Sequence, residues 1–153
     1  MPTLNYYLNA LGRCSAFYRT DALEGTGIRP HDMPYLFHVC RHPGTTQDCI
    51  AKALYVHKTK ITRSVTYLEE QGFLMRSPSP EDKRALQVYP TQKALELLPR
   101  LREINATWHT VLTKGFSDEE TAQFEALLIR ALRNARSAVD GESADCGQRG
   151  AEK

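Results

Sequence analysis

The sequence predicts a mainly α-helical fold with one small β-hairpin, and three observations predict it. Apolar residues recur every three or four positions through most of the 153 residues. One segment breaks that period: Phe73, Leu74 and Met75, then the charged, Pro-rich SPSPEDKR, then Leu86, Val88 and Tyr89 before Pro90, read as two short strands and a loop. Directly before it, residues 45–72 read as two short helices joined by a tight turn.

Composition sets the frame. Apolar content of 41% and charged content of 25% are ordinary for a water-soluble domain, and a net charge of +2 shifts the weight from the sum of charges to their placement. No apolar run approaches the ~20 residues of a membrane span, and MPTLNYYLNALGRC lacks the cationic start and continuous apolar stretch of a signal peptide. The expectation is a cytoplasmic protein with no membrane partner. Cysteines at 14, 40, 49 and 146 show no CxxC pair and read as free thiols.

Taken in order, Leu4, Leu8, Leu11, Cys14 or Ser15, and Tyr18 form the stripe of an N-terminal helix, widened by Tyr7 and Phe17 and ending near Glu24 before Gly25 and Gly27. A polar turn reaches Arg29 and Pro30. Met33, Leu36, Phe37 and Cys40 mark a second helix that stops at His42, Pro43 and Gly44. The next helix starts at Thr45 or Thr46, either of which can cap it, and its predicted buried residues are Ile50, Ala53 and Leu54. Ile61, Val65 and Leu68 give the fourth helix one narrow apolar face, and Gly72 suits the left-handed conformation of its C-cap. After the hairpin, Thr91 caps a long helix through Leu95, Leu98, Leu101, Ile104, Trp108 and Leu112, with Pro99 expected to bend it into two halves. Gly115 ends it. Ser117 and Glu120 make a capping box for a last helix through Phe124, Leu127, Leu128, Ala131 and Leu132 to about Val139, and residues 140–153 are too polar to pack.

The fourth helix carries the functional signal. From Cys49 to Leu68 there are four cations, Lys52, Lys58, Lys60 and Arg63, and no acid, whereas Glu69 and Glu70 follow at once. Lys58, Thr59, Thr62, Arg63 and Thr66 fall along one outward strip, mixing charges that reach phosphate with short hydroxyls that approach base edges, and Lys60 adds to its charge. Such a pair of helices is a helix-turn-helix. Its second helix enters the major groove while the first, starting at Thr46 and Gln47, braces it against the backbone. A hairpin directly after it is a wing, and Lys83 and Arg84 at its tip are placed to reach phosphate or the minor groove. A winged helix needs only about residues 30–95 (helix-turn-helix 45–72, wing 73–90), so the helices at 4–24 and 92–139 are predicted to pair with those of a second copy, giving a two-fold dimer. The alternative of one larger helical domain stays open.

These features resemble the MarR family of bacterial transcriptional regulators over about residues 4–139. The most specific match is the wing, where Arg76, Asp82, Arg84, Val88 and Thr91 fit the family pattern of a strand Arg, Asp-x-Arg at the tip, then Val and Thr. The resemblance implies a homodimer that represses from a pseudo-palindromic operator in double-stranded DNA and is released by a small ligand, aromatic or phenolic in character. It also implies that Arg84 is the minor-groove arginine, that Arg76 belongs to the DNA-binding set, and that Asp82 holds the wing tip by pairing with a neighbouring Arg. One departure is His57, where the family commonly places Ser, Asp or Asn as the cap of the recognition helix.

Three sensor readings stand beside this. Cys14 lies in the first helix, where some members of the family sense oxidants, yet on the apolar stripe, where a thiol packs. His38 and His42 have the i, i+4 spacing of a metal pair but need a third ligand from His31, Asp32 or a partner helix. Tyr7, Phe17, Tyr18, Tyr35 and Phe37 are aromatic candidates for lining a ligand pocket, a pattern that core packing also produces. A protein-docking winged helix is the rival function. With no phosphate-binding Gly-rich loop, nucleophile motif or acid pair, neither an enzyme nor a cofactor is expected.

Overall fold

The computed structural model describes residues 1–81 and 85–140. Asp82, Lys83, Arg84, Cys146 and the tail expected after residue 140 lie outside the described residues. The chain runs α1 (Leu4–Ala22), α2 (Met33–Arg41), β1 (Thr45–Thr46), α3 (Gln47–Leu54), α4 (Lys58–Glu70), β2 (Leu74–Pro78), β3 (Leu86–Pro90), α5 (Gln92–Leu112) and α6 (Asp118–Asp140). It forms two compact units, the first comprising residues 1–108 and the second beginning at His109.

In the first unit the periodic residues of α2, α3 and α4 meet over the sheet. Leu36, Val39, Ile50, Ile61, Val65, Leu68 and Val88 are completely buried, and Phe73 and Leu74 nearly so. Each such side chain contributes about 1.5–3 kcal/mol on leaving water, which is what fixes α4 to this surface. The antiparallel sheet has the order β1-β3-β2, with Arg76 opposite Val88 and Pro78 opposite Leu86. β1 is an addition to the expected hairpin: Thr45 and Thr46 pair with Val88 and Gln87. The approach is tight because Gly44, at φ 84°, donates its N–H to Val88 O at 2.9 Å and faces the Tyr89 hydroxyl. A Cβ at Gly44 would stand 3.2 Å from that oxygen.

Local chemistry sets the boundaries. Thr46 Oγ1 accepts from the Cys49 N–H at 3.2 Å and starts α3, which ends at Tyr55 in the left-handed region with φ 53°. Of the residues expected to be buried in α3, Ile50 is; Ala53 and Leu54 are half-buried, and Ala51 takes the inner position instead. Gly72, at φ 77°, reverses the chain after α4. Thr91 then links three elements: its hydroxyl donates to Gly72 O at 2.6 Å, its N–H donates to Phe73 O at 3.0 Å, and its oxygen accepts from the Ala94 N–H at the start of α5. α5 continues through Pro99, and buried Ala94 and Leu98 before it are followed by buried Leu101 and Ile104. Pro99 therefore does not separate a packed half from a projecting one. In the second unit the capping box closes as expected, with Glu120 Oε2 accepting from the Ser117 N–H at 2.8 Å and Ser117 Oγ accepting from the Glu120 N–H at 3.2 Å.

The stripes on the terminal helices are exposed. Leu4, Tyr7, Leu8, Leu11 and Phe17 of α1 and Leu127, Leu128, Ile129 and Leu132 of α6 face solvent, and neither helix has a buried residue. Cys14 is likewise exposed rather than packed.

Candidate nucleic-acid interface

α4 is two-faced. Ile61, Ser64, Val65 and Leu68 are buried, and Lys58, Thr59, Lys60, Thr62 and Arg63 are exposed. The helix begins at His57, which makes no side-chain cap. The outward strip divides into two edges with different surroundings.

One edge is tied to neighbouring elements. Lys58 Nζ reaches both Asp48 oxygens, at 2.8 and 3.0 Å, and thereby joins the first turns of α3 and α4. Thr62 Oγ1 donates back to Lys58 O at 3.0 Å. Arg76 of β2 donates from Nε to Glu69 Oε2 at 2.9 Å, from its backbone N–H to Glu69 Oε1 at 3.1 Å, and from Nη2 to Thr66 Oγ1 at 3.3 Å. These hydrogen bonds from Arg76 hold the Glu69 carboxyl below its ordinary pKa of 4.5, outweighing the desolvation that pushes it up. Arg76 therefore fastens the hairpin to α4 inside the chain. Thr46 and Gln47 are half-buried at the start of α3.

The other edge opens. Thr59, Lys60, Arg63 and Ser64 line a depression of about 440 Å³ together with Arg29, His31 and His57. Arg29 and His31 belong to the segment read as a polar turn, and a periodicity argument had no means of finding them. The available signal was Asp32, an acid directly before an apolar helix start, which needs a cation close by if it is buried. Asp32 is completely buried, does not cap α2, and takes the Nε–H of Arg29 instead.

The sensor candidates do not converge. The His38 and His42 rings lie 4.8 Å apart, but the third ligands considered for them, His31 and Asp32, pair with each other and with Arg29. Among the described residues no group of three or more His, Cys, Asp or Glu is placed to hold a metal ion. His38 titrates below its ordinary 6.5, first through burial and then through His42 and Arg41. The five aromatics are dispersed: Tyr7 and Phe17 are exposed, Tyr35 is in the core, Phe37 packs against it, and Tyr18 stacks on Trp108 at 5.0 Å.

Known proteins share this arrangement. The MarR family profile matches residues 31–86, from the start of α2 into the hairpin. Over 100 residues, 65% of this chain and 67% of the relative, the sequence is 32% identical to the uncharacterized HTH-type transcriptional regulator YybA of Bacillus subtilis (strain 168). The chain belongs to the MarR family. Among solved structures, a MarR transcriptional regulator from Methanosarcina mazei Go1 superposes with a TM-score of 0.85 at 23% identity, covering 89% of this chain and 98% of that one. A putative MarR family regulator from Listeria monocytogenes, complexed with 26mer DNA, superposes with a TM-score of 0.84 at 19% identity, covering 96% of this chain and all (100%) of that one. This MarR-family transcriptional regulator thus has the family's winged-helix fold, and none of its described helices is long and apolar enough to cross a membrane.

Proposed function

We propose that this MarR-family regulator binds double-stranded DNA as a homodimer and represses transcription from a pseudo-palindromic operator. The observation that carries the reading is the division of α4: Ile61, Val65 and Leu68 are wholly buried, while Thr59, Lys60 and Arg63 are exposed on its other side. A helix held so firmly by one face presents the other as a rigid reader for the major groove. The Listeria relative, complexed with DNA, supports the same partner here. Lys83 and Arg84 would serve the neighbouring minor groove, and Arg76, by anchoring β2 to Glu69, would set the hairpin's angle to α4. The exposed apolar faces of α1 and α6 support pairing with a second copy, which would place two copies of α4 about one DNA turn apart. Release by a small aromatic or phenolic ligand completes the reading, on the strength of the family resemblance.

The experiment is a titration of purified protein against labelled DNA from upstream of its own gene and against duplexes recovered by random-library selection, at two salt concentrations with unrelated competitor. Binding that survives competition, weakens steeply with salt and saturates at two chains per site is the expected result. Failure on every duplex would point to a protein-docking winged helix instead.

A further inference from the structure

We propose that the depression beside the first turns of α4 is a subsite for one phosphodiester of the DNA backbone, gripped by Arg29 and His31 from outside the helix-turn-helix together with Lys60. This rests on the DNA-binding reading and adds to it a contact that precedes α2 in the chain.

The lining is the first argument. Arg29, His31, His57, Lys60 and Arg63 meet there with Thr59 and Ser64, and no carboxylate lines it. Two stretches of sequence, residues 29–31 and 57–64, meet on one concave surface that accepts an anion and repels a cation. Lys60 and Arg63 supply net charge, since both are exposed. Arg29 supplies geometry, because Asp32 offsets most of its charge.

The second argument is how firmly Arg29 is held. Its Nε–H is bound to Asp32, which is completely buried, and its guanidinium carbon stands 3.7 Å over the Tyr67 ring. Tyr67 is fixed in turn by donating its hydroxyl to Gly27 O at 3.1 Å. The carboxylate takes one edge of the guanidinium and the ring takes one face, so the Nη groups are the donors left for a planar, forked contact with phosphate oxygens. Holding an Arg in place beforehand removes most of the side-chain entropy that a flexible cation loses on binding. His31 stands beside the same acid: its Nε2 lies 3.4 Å from Asp32 Oδ1, a buried oxygen with no hydrogen-bond partner among the described residues. One buried carboxylate thus fixes Arg29 and lies beside His31 at the edge of a common depression.

Position is the third. The depression lies against the N-terminal turns of α4, so a phosphate seated there would flank the groove that α4 enters and fix how deep the helix sits.

The test uses the full chain and a duplex recovered by random-library selection. Arg29→Gln and His31→Ala should each weaken binding about five- to tenfold, equally on the selected and an unrelated duplex, and together lower the slope of log affinity against log salt by about 1. Replacing single phosphates by uncharged methylphosphonate should reveal one position in each half-site whose loss weakens the unaltered protein but not the double variant. Because Arg29→Gln leaves Asp32 without its cation, the exposed His31→Ala carries the test if Arg29→Gln fails to fold. Unchanged affinity and slope in His31→Ala and Arg29→Gln, while Arg63→Ala still weakens binding, would overturn the subsite and leave DNA binding intact. Saturable binding of inorganic phosphate without DNA, combined with that unchanged affinity, would overturn it in favour of a free anion. An unaltered protein that binds no duplex would overturn both readings.

Discussion

The winged-helix region and the terminal helices carry equally regular apolar stripes, and the two regions treat them oppositely. In α4 the stripe disappears from solvent: Ile61, Val65 and Leu68 are each 0% exposed. In α1 and α6 it remains outside, with Leu4 74%, Leu8 46% and Leu127 54% exposed. Periodicity reports that a face must be covered, and says nothing about whether the cover belongs to the same chain. The contrast separates a stripe that its own chain covers from one left open, for which a second copy is the proposed cover, and experiments can attack each side of it.

The largest effect is expected inside the winged helix. Leu68→Ala removes a completely buried side chain and should cost about 2–5 kcal/mol of unfolding free energy, measured by urea denaturation. On the terminal side, Leu127→Asp should cost about 2–4 kcal/mol of association, because two-fold symmetry introduces the charge twice. Sedimentation equilibrium reads it directly; an unchanged mass distribution would break the comparison by showing that the α6 face is not covered by a second copy. Gly44→Ala comes next, at about 1–3 kcal/mol of stability from a left-handed backbone and the 3.2 Å approach to Tyr89 Oη. Arg63→Ala tests the outward face of α4 rather than its buried one. It should leave the melting temperature unchanged and cost about 1–3 kcal/mol of affinity for the selected duplex if Arg63 reads a base, with an even loss over all DNA reassigning it to phosphate. The smallest effect concerns Glu69, whose folded pKa lies below the ordinary 4.5 because Arg76 donates to it. Its contribution is complete above about pH 4.5 and is lost as pH falls through the lower folded value, so Arg76→Met should flatten the acid limb of the stability curve in pH-dependent melts.

Residue by residue, the sequence disclosed those features whose cause is local. The α4 stripe, the Thr91 cap and the Ser117–Glu120 box all depend on partners within a few positions, and each has a recognisable spacing. β1 was not legible because two residues cannot display a period, and its pairing with Val88 and Gln87 spans more than 40 positions. Ala51 rather than Ala53 lies inward because small residues give little preference for either face. The α1 stripe was legible, and its exposure in one chain accords with the expectation that the terminal helices are not covered by their own winged helix; Cys14, on that stripe, is exposed with it. At the interface, Lys60 and Arg63 were visible as cations on an outward strip. The internal engagement of Lys58 with Asp48 and of Arg76 with Glu69 was not, since ion pairs between elements leave no periodic trace. The Arg29–Asp32–Tyr67 cluster was hidden for the same reason: it joins two segments about 38 positions apart.

The fastening at the end of α4 has a mechanical meaning. Thr91 Oγ1 donates to Gly72 O at 2.6 Å and Lys93 Nζ donates to Gln71 O at 2.7 Å, so the start of α5 is pinned to the two residues that follow α4 by two short bonds from positions only two apart. α5 has 21 residues and is therefore a rod about 31 Å long at 1.5 Å per residue. It is held along most of that length as well, because Leu98, Leu101 and Ile104 are buried and Trp108 stacks on Tyr18. The end of α4 and the packed part of α5 therefore behave as one stiff piece, and α4 cannot tilt without carrying α5 up to Ile104 with it.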